Sequence, residues 1–71
     1  MYNLSLFSKR LKDCRIKKGM TQGKLAEKAG IQKHYISNYE HDKNLPSLFN
    51  LIVLSDVLEV PAGYLLGGDY D

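Results

Sequence analysis

Seventy-one residues, 44% of them apolar, are enough for one small globular core and one domain, with stability that pairing would improve. A single cysteine, Cys14, excludes an internal disulfide and a zinc site built from several cysteines, and it fits a reducing, cytoplasmic setting. The net charge of +2 conceals a division: residues 1–43 hold all ten Lys and Arg against four acids (+6), and residues 44–71 hold four acids and no Lys or Arg (−4). A basic half points toward a polyanion and an acidic half away from it. The opening Met1-Tyr-Asn-Leu-Ser-Leu-Phe-Ser-Lys-Arg has no apolar run of signal-peptide length, and no stretch of about 20 apolar residues occurs. Export and membrane insertion are therefore not expected.

The elements all read as helices. Residues 5–18 form the first, with Ser5 as cap, Phe7, Leu11 and Cys14 on one apolar stripe, and Gly19 as a left-handed stop. Cys14 on that stripe reads as a small core hydrophobe. Thr21 caps a second helix that starts at Gln22, buries Leu25, Ala26 and Ala29, and ends at Gly30; Gly23 inside it is a poor helix former. A third helix, near residues 32–40, places Ile36 and Tyr39 inward, with Asp42 in the left-handed conformation after it. Ser47 caps a fourth over about 48–58. Pro61 opens a short fifth ending at Leu66, stopped by Gly67-Gly68. The last residues, Asp69 to Asp71, are expected to fray.

The second and third helices meet at a turn of two or three residues. Ala26 is small where they cross, Gly30 accepts positive φ, and Leu25, Ala29, Ile31, Ile36 and Tyr39 fill the junction. That is the arrangement of a helix-turn-helix, at about 21–40, which presents its second helix to a DNA major groove about 12 Å wide. Several groups of residues at fixed spacing then resemble the phage repressor and Cro-like (XRE) family: Lys9-Arg10-Leu11, Arg15, Gly19-Met20-Thr21-Gln22, Leu25-Ala26, Gly30-Ile31, Tyr35-Ile36-Ser37, Tyr39-Glu40, Pro46-Ser47-Leu48 and Leu65-Leu66. The resemblance runs from Phe7 to Leu66. It implies an all-α, compact five-helix bundle of the lambda repressor-like DNA-binding type, one domain over 1–71, that binds operator DNA. Gly23, Cys14, Asp42 and Glu59 depart from frequent family residues, the last two at positions often held by glycine.

A recognition helix that enters the groove by its N-terminus exposes Gln32, Lys33, His34, Ser37 and Asn38 to base edges. Lys33 suits guanine O6 and N7, and Asn38 or Gln32 suits adenine. The resemblance implies the same positions as readers. Gln22 at a positive helix end, with Lys43 and Asn44 on the other side, suits phosphate; Thr21 and Tyr35 are further phosphate candidates, Tyr35 with core packing as its alternative. The resemblance also implies a partly buried ion pair of Arg15 and Glu40 tying the first helix to the end of the third. His34 and His41 lie about 10 Å apart along a helix axis, too far to share a metal. Neither a nucleophile–base set nor a phosphate-cradling loop stands out, so no enzyme, metal, cofactor or small-molecule ligand is expected.

On the fourth helix, Leu48, Leu51, Ile52, Ser55 and Leu58 read as the core face. Phe49, Val53 and Val57 make a second stripe. With Tyr64 they form a candidate homodimer contact within 48–66, the competing reading being a broader core. A two-fold dimer would span a near-palindromic site with its recognition helices about 34 Å apart. The expected function is sequence-specific binding of double-stranded DNA by a cytoplasmic transcription regulator, a repressor. The alternative is a protein-interaction, antitoxin-like adaptor that keeps the bundle without specific DNA binding. RNA binding lacks the stacked aromatic surface it would want.

Overall fold

The structure is a computed structural model, and it describes residues 4–68. Five helices follow one another: α1 (Leu4–Lys17), α2 (Gln22–Ala29), α3 (Lys33–Glu40), α4 (Leu48–Leu58) and α5 (Ala62–Leu65). The expected chain ends, including Asp69 to Asp71, lie outside the described residues.

The caps explain the boundaries. The Thr21 hydroxyl accepts from the Lys24 amide at 3.0 Å, and that of Ser47 from the Asn50 amide at 3.1 Å, so both start their helices as the sequence suggests. Ser5 does not cap: α1 already includes Leu4, and the Ser5 hydroxyl instead faces the Asp42 carboxylate at 3.5 Å. Gln32 is the N-cap of α3 without a side-chain cap bond, and Pro61 stands in the same place before α5.

The C-termini share one device. After each helix a residue folds back so that an amide reaches the carbonyl five residues earlier: Met20 to Arg15, Ile31 to Ala26, Lys43 to Asn38, Val60 to Ser55 and Gly68 to Gly63. The turn needs positive φ just before that amide. Gly19 and Gly30 take it freely at 70° and 69°, whereas Asp42 and Glu59 hold φ of 60° and 59° with a side chain attached.

The core gathers Phe7, Leu11 and Cys14 from α1, Leu25 and Ala26 from α2, Ile36 and Tyr39 from α3, Leu51, Leu54 and Leu58 from α4, and Leu65 from α5. Phe7 meets Tyr39 edge-on at 6.1 Å. Burial pushes the Cys14 thiol up from its ordinary value, disfavouring the thiolate. Every buried side-chain nitrogen and oxygen among the described residues has a partner. Ser8 donates to the Tyr39 carbonyl and Ser55 to that of Ile52.

One face differs from the sequence reading. α4 buries Leu51, Leu54, Ser55 and Leu58, while Leu48 and Ile52, read as core, are exposed. Leu54 completes the inward stripe in place of Ile52, and Leu48 sits on the first helical position, beyond the reach of the core. An almost uniformly apolar helix gives periodicity nothing to choose between, so packing chose the face.

Candidate nucleic-acid interface

Local sequence makes α3 a projecting element. Ile36 and Tyr39 are buried, which turns the rest of the helix outward. Lys33 and Ser37 form one i, i+4 row on that outer side, and His34 and Asn38 form another. Gln32, Lys33 and His34 are exposed, and Ser37 and Asn38 are half-buried. Four of the predicted base readers, Lys33, His34, Ser37 and Asn38, thus share one side of α3; Gln32 stands exposed at its N-cap, and none of the five is packed into the core. Lys33 has no partner among the described residues. The Asn38 carbonyl is spent on the turn, accepting from the amides of His41 and Lys43.

The support behind α3 is an ion pair with a third member. Arg15 grips Glu40 by two bonds, Nε to Oε2 at 2.8 Å and Nη2 to Oε1 at 3.0 Å, and its Nη1 donates to the Met20 carbonyl at 2.8 Å. The Glu40 side chain is only 2% exposed and that of Arg15 11%. The hydrogen bond to Glu40 raises the Arg15 guanidinium above its ordinary pKa. The Gln22 side-chain amide adds a third bond, Nε2 to Glu40 Oε1 at 3.1 Å. One carboxylate therefore joins α1, the start of α2 and the end of α3. Gln22 keeps only one amide hydrogen for any other acceptor.

The predicted phosphate contacts flank this frame. At the start of α2 the backbone amides of Gln22 and Gly23 have no partner among the described residues, at the positive end of the helix. Thr21 is exposed, with its hydroxyl oxygen accepting from Lys24. Lys43 and Asn44 are exposed beyond the other end of α3. Tyr35 is 42% exposed and not part of the core; its ring lies 4.2 Å from that of His34 and stacks 6.4 Å from that of Tyr39. The core-packing alternative for Tyr35 is thereby corrected. His41 caps the end of α3, its Nδ1 2.7 Å from the Ser37 carbonyl. A carbonyl only accepts, so Nδ1 carries the hydrogen. Among the described residues no three His, Cys, Asp or Glu gather as a metal set.

The structure brings together two functional groups that the sequence did not announce. Arg10 donates Nη1 to the carbonyls of Tyr64 and Gly68, both at 2.7 Å, with its guanidinium 4.2 Å above the Tyr64 ring. It fastens the end of α5 to α1. Asn50 donates to the Tyr39 hydroxyl at 3.2 Å, linking α4 to α3. Backbone carbonyls are alike at every residue, so Arg10 left no signal in the sequence beyond its place beside Lys9 and Leu11.

Of the predicted dimer residues, Phe49 is 73% exposed and Val53 half-buried. Val57 and Tyr64 are half-buried and pack against the core.

Such a frame, with a short buried-backed helix held outward across a tight turn, defines a helix-turn-helix protein. The helix-turn-helix family profile matches residues 11–65, and the chain belongs to that family, in its XRE type. It is 46% identical over 61 residues to the HTH-type transcriptional regulator ImmR of Bacillus subtilis (strain 168), covering 86% of this chain and 48% of that protein. The chain spans about half the length of the curated relatives it matches. Among solved structures it is similar to the P22 c2 repressor in complex with a synthetic operator, with TM-score 0.86, 33% identity, and 90% and 97% of the two chains covered. It is also similar to the N-terminal DNA-binding domain of SinR from Bacillus subtilis, with TM-score 0.85, 35% identity, and 94% and 99% covered.

Proposed function

We propose that this chain binds double-stranded DNA sequence-specifically through the major groove and regulates transcription, as a repressor. The observation that carries it is α3 itself: Lys33, His34, Ser37 and Asn38 on one open side with Gln32 exposed at the N-cap, and the Arg15–Glu40–Gln22 cluster locking the helix from behind. A rigid probe loses little entropy on docking, so its base contacts count fully toward discrimination. Backbone amides at Gln22 and Gly23, the Gln22 side chain, Thr21, Tyr35, Lys43 and Asn44 supply the phosphate contacts that set register. The relatives are transcriptional regulators, not enzymes, and two of the similar structures are DNA complexes, with the P22 c2 repressor and with SinR. No described helix is long and apolar enough to cross a membrane. A regulator that acts on DNA, as the relatives are named, would work in the cytoplasm.

Two copies over a near-palindromic operator, with recognition helices about 34 Å apart, follow from the same reading. In-vitro selection from random duplex tests it. A single recovered consensus, bound with log affinity falling linearly in log salt, is the expected result. Recovery of no consensus, with no duplex binding at low ionic strength, overturns it. That outcome would favour the protein-interaction adaptor, for which the open apolar side of α4 is the supporting observation.

A further inference from the structure

A run of aromatic rings leads from the core to the outer side of α3. Phe7, wholly buried on α1, meets Tyr39 edge-on with centroids 6.1 Å apart. Tyr39 is 3% exposed and is held a second time by Asn50, which donates to its hydroxyl at 3.2 Å. Tyr35, one helical turn earlier, stacks on Tyr39 with centroids 6.4 Å apart and planes 29° apart. The Tyr35 ring in turn lies 4.2 Å from the His34 imidazole, at a tilt of 34°. The first two separations are those of ordinary ring pairs. The last is closer and puts the two rings in contact.

His34 therefore differs from the other residues proposed to read bases. Gln32 and Lys33 are exposed, with no side-chain partner among the described residues. The Ser37 hydroxyl faces His41 Nδ1 at 3.4 Å, on the same surface. Only the imidazole is joined, ring by ring, to the core.

We infer that Tyr35 is a positioning residue: its ring fixes the plane of the His34 imidazole and so sets the base preference that His34 carries. The inference rests on the DNA-binding reading above. It gives the Tyr35 ring a part of its own, beside the phosphate contact proposed for that residue. The second side-chain torsion of a histidine is broad, so a solvated imidazole swings its N–H through a wide arc. A hydrogen bond weakens steeply with angle. Guanine N7 and O6 accept in the major groove, and a neutral imidazole has one N–H to offer them. A ring already held at one angle loses little freedom when it meets the right base edge. It is also barred from turning toward an acceptor on the wrong base, which is the repulsive half of specificity. A residue that touched only phosphate would need its hydroxyl and not its ring face. Tyr35 spends that face on its neighbours and is left 42% exposed.

The test compares Tyr35→Phe, Tyr35→Leu, His34→Ala and Tyr35→Leu/His34→Ala with the wild type. Each is measured on a duplex selected with the wild-type chain and on duplexes changed at one base pair at a time. Tyr35→Leu is expected to lower discrimination about two- to tenfold at one base pair, the pair at which His34→Ala relaxes it. Preference at the other pairs should stay. Once His34 is alanine, Tyr35→Leu should cost no further discrimination. Tyr35→Phe keeps the ring and should keep the preference, any loss of affinity being equal for every duplex. Thermal unfolding checks that each variant folds, as expected for an exposed position. A Tyr35→Leu variant that weakens all duplexes alike, or a Tyr35→Phe variant that loses discrimination as fully as Tyr35→Leu, overturns the inference and leaves DNA recognition standing. The imidazole proton resonances of the free chain give a readout without DNA, with His41 as the internal reference. The Tyr35 ring should shift the His34 protons upfield in the wild type and in Tyr35→Phe, and Tyr35→Leu should return them to the position of a solvated histidine. Unshifted His34 protons in the wild type overturn the inference alone. Failure to select any consensus duplex overturns the DNA-binding reading and the inference with it.

Discussion

The first three helices and the last two bury comparable stripes of the same core but present opposite surfaces. On α1–α3 the outer side is polar and basic, and its key helix is held by three hydrogen bonds to one buried carboxylate. On α4 the outer side is apolar, uncharged over residues 44–55, and unsupported by anything in the fold. Polar groups that read bases must be held still, because discrimination depends on angles and distances of bonds. An apolar surface makes no such demand, because its transfer from water has no direction. The two sides thus differ in kind: one is fixed by directional bonds, the other is exposed apolar surface.

The strongest way to break this contrast is to remove its lock. Glu40→Ala leaves the Arg15 guanidinium without its carboxylate in a mostly buried place, and is expected to cost about 3–5 kcal/mol. A domain of this size has a total of about 4–10 kcal/mol, so urea unfolding should show a largely lost transition. A loss under 1 kcal/mol would mean that the ion pair does not hold α3. Next comes the clamp at the other end of the molecule. Arg10→Ala removes two charged hydrogen bonds to carbonyls and its stacking on Tyr64, about 1.5–3 kcal/mol in the same measurement, with base preference unchanged.

Substitutions on the outer side of α3 sharpen the comparison without disturbing the fold. Lys33→Ala or Asn38→Ala should each weaken binding to the selected duplex by about 1–3 kcal/mol and relax preference at one base position. Lys43→Ala should weaken every sequence alike and flatten the salt slope by about one unit. Fluorescence anisotropy against salt separates the two behaviours. Should Asn38→Ala leave the selected site unaltered, Asn38 is not a reader.

Smaller gains are expected where the backbone is strained or loose. Glu59→Gly relieves a left-handed residue carrying a side chain, worth about 1 kcal/mol, partly offset by loss of the exposed pair with Lys18 at 2.7 Å. Gly23→Ala should stabilise by about 0.5–1 kcal/mol, since an added Cβ would meet only the Thr21 hydroxyl at 3.9 Å, an ordinary contact. Both raise the thermal midpoint.

The smallest effect is on pH. Hydrogen bonds from Lys24 and Lys18 hold the Glu27 and Glu59 carboxyls below the ordinary carboxylate value. Their folded values lie under the unfolded ones. The stability they add is present above the ordinary carboxylate range and is lost as pH falls through the depressed folded values. Both groups are exposed, so the loss is slight. Lys24→Ala/Lys18→Ala should make acid unfolding curves flatter below pH ~4.5.

Much of this architecture was readable from residue types alone, because its causes are local. Thr21 and Ser47 bond amides three residues on, and Gly19 and Gly30 have the backbone freedom their turns require, so four boundaries follow from short-range chemistry. The α1 stripe and the outward row of α3 follow from periodicity where apolar and polar residues alternate cleanly. Ser5 misled because a hydroxyl near a helix start has other partners, here Asp42 from 37 residues away. The neighbours of Arg10, 54 and 58 residues distant, are carbonyls that no side chain advertises. The inward face of α4 was also beyond reach: with nearly every position apolar, transfer from water favours burial of all of them alike. Only the shapes of α1, α2 and α5 decided that Leu51, Leu54 and Leu58 go in while Leu48, Phe49 and Ile52 stay out. Pattern chooses a face when the faces differ in hydration; where they do not, the choice passes to space-filling, which exists only in the assembled bundle.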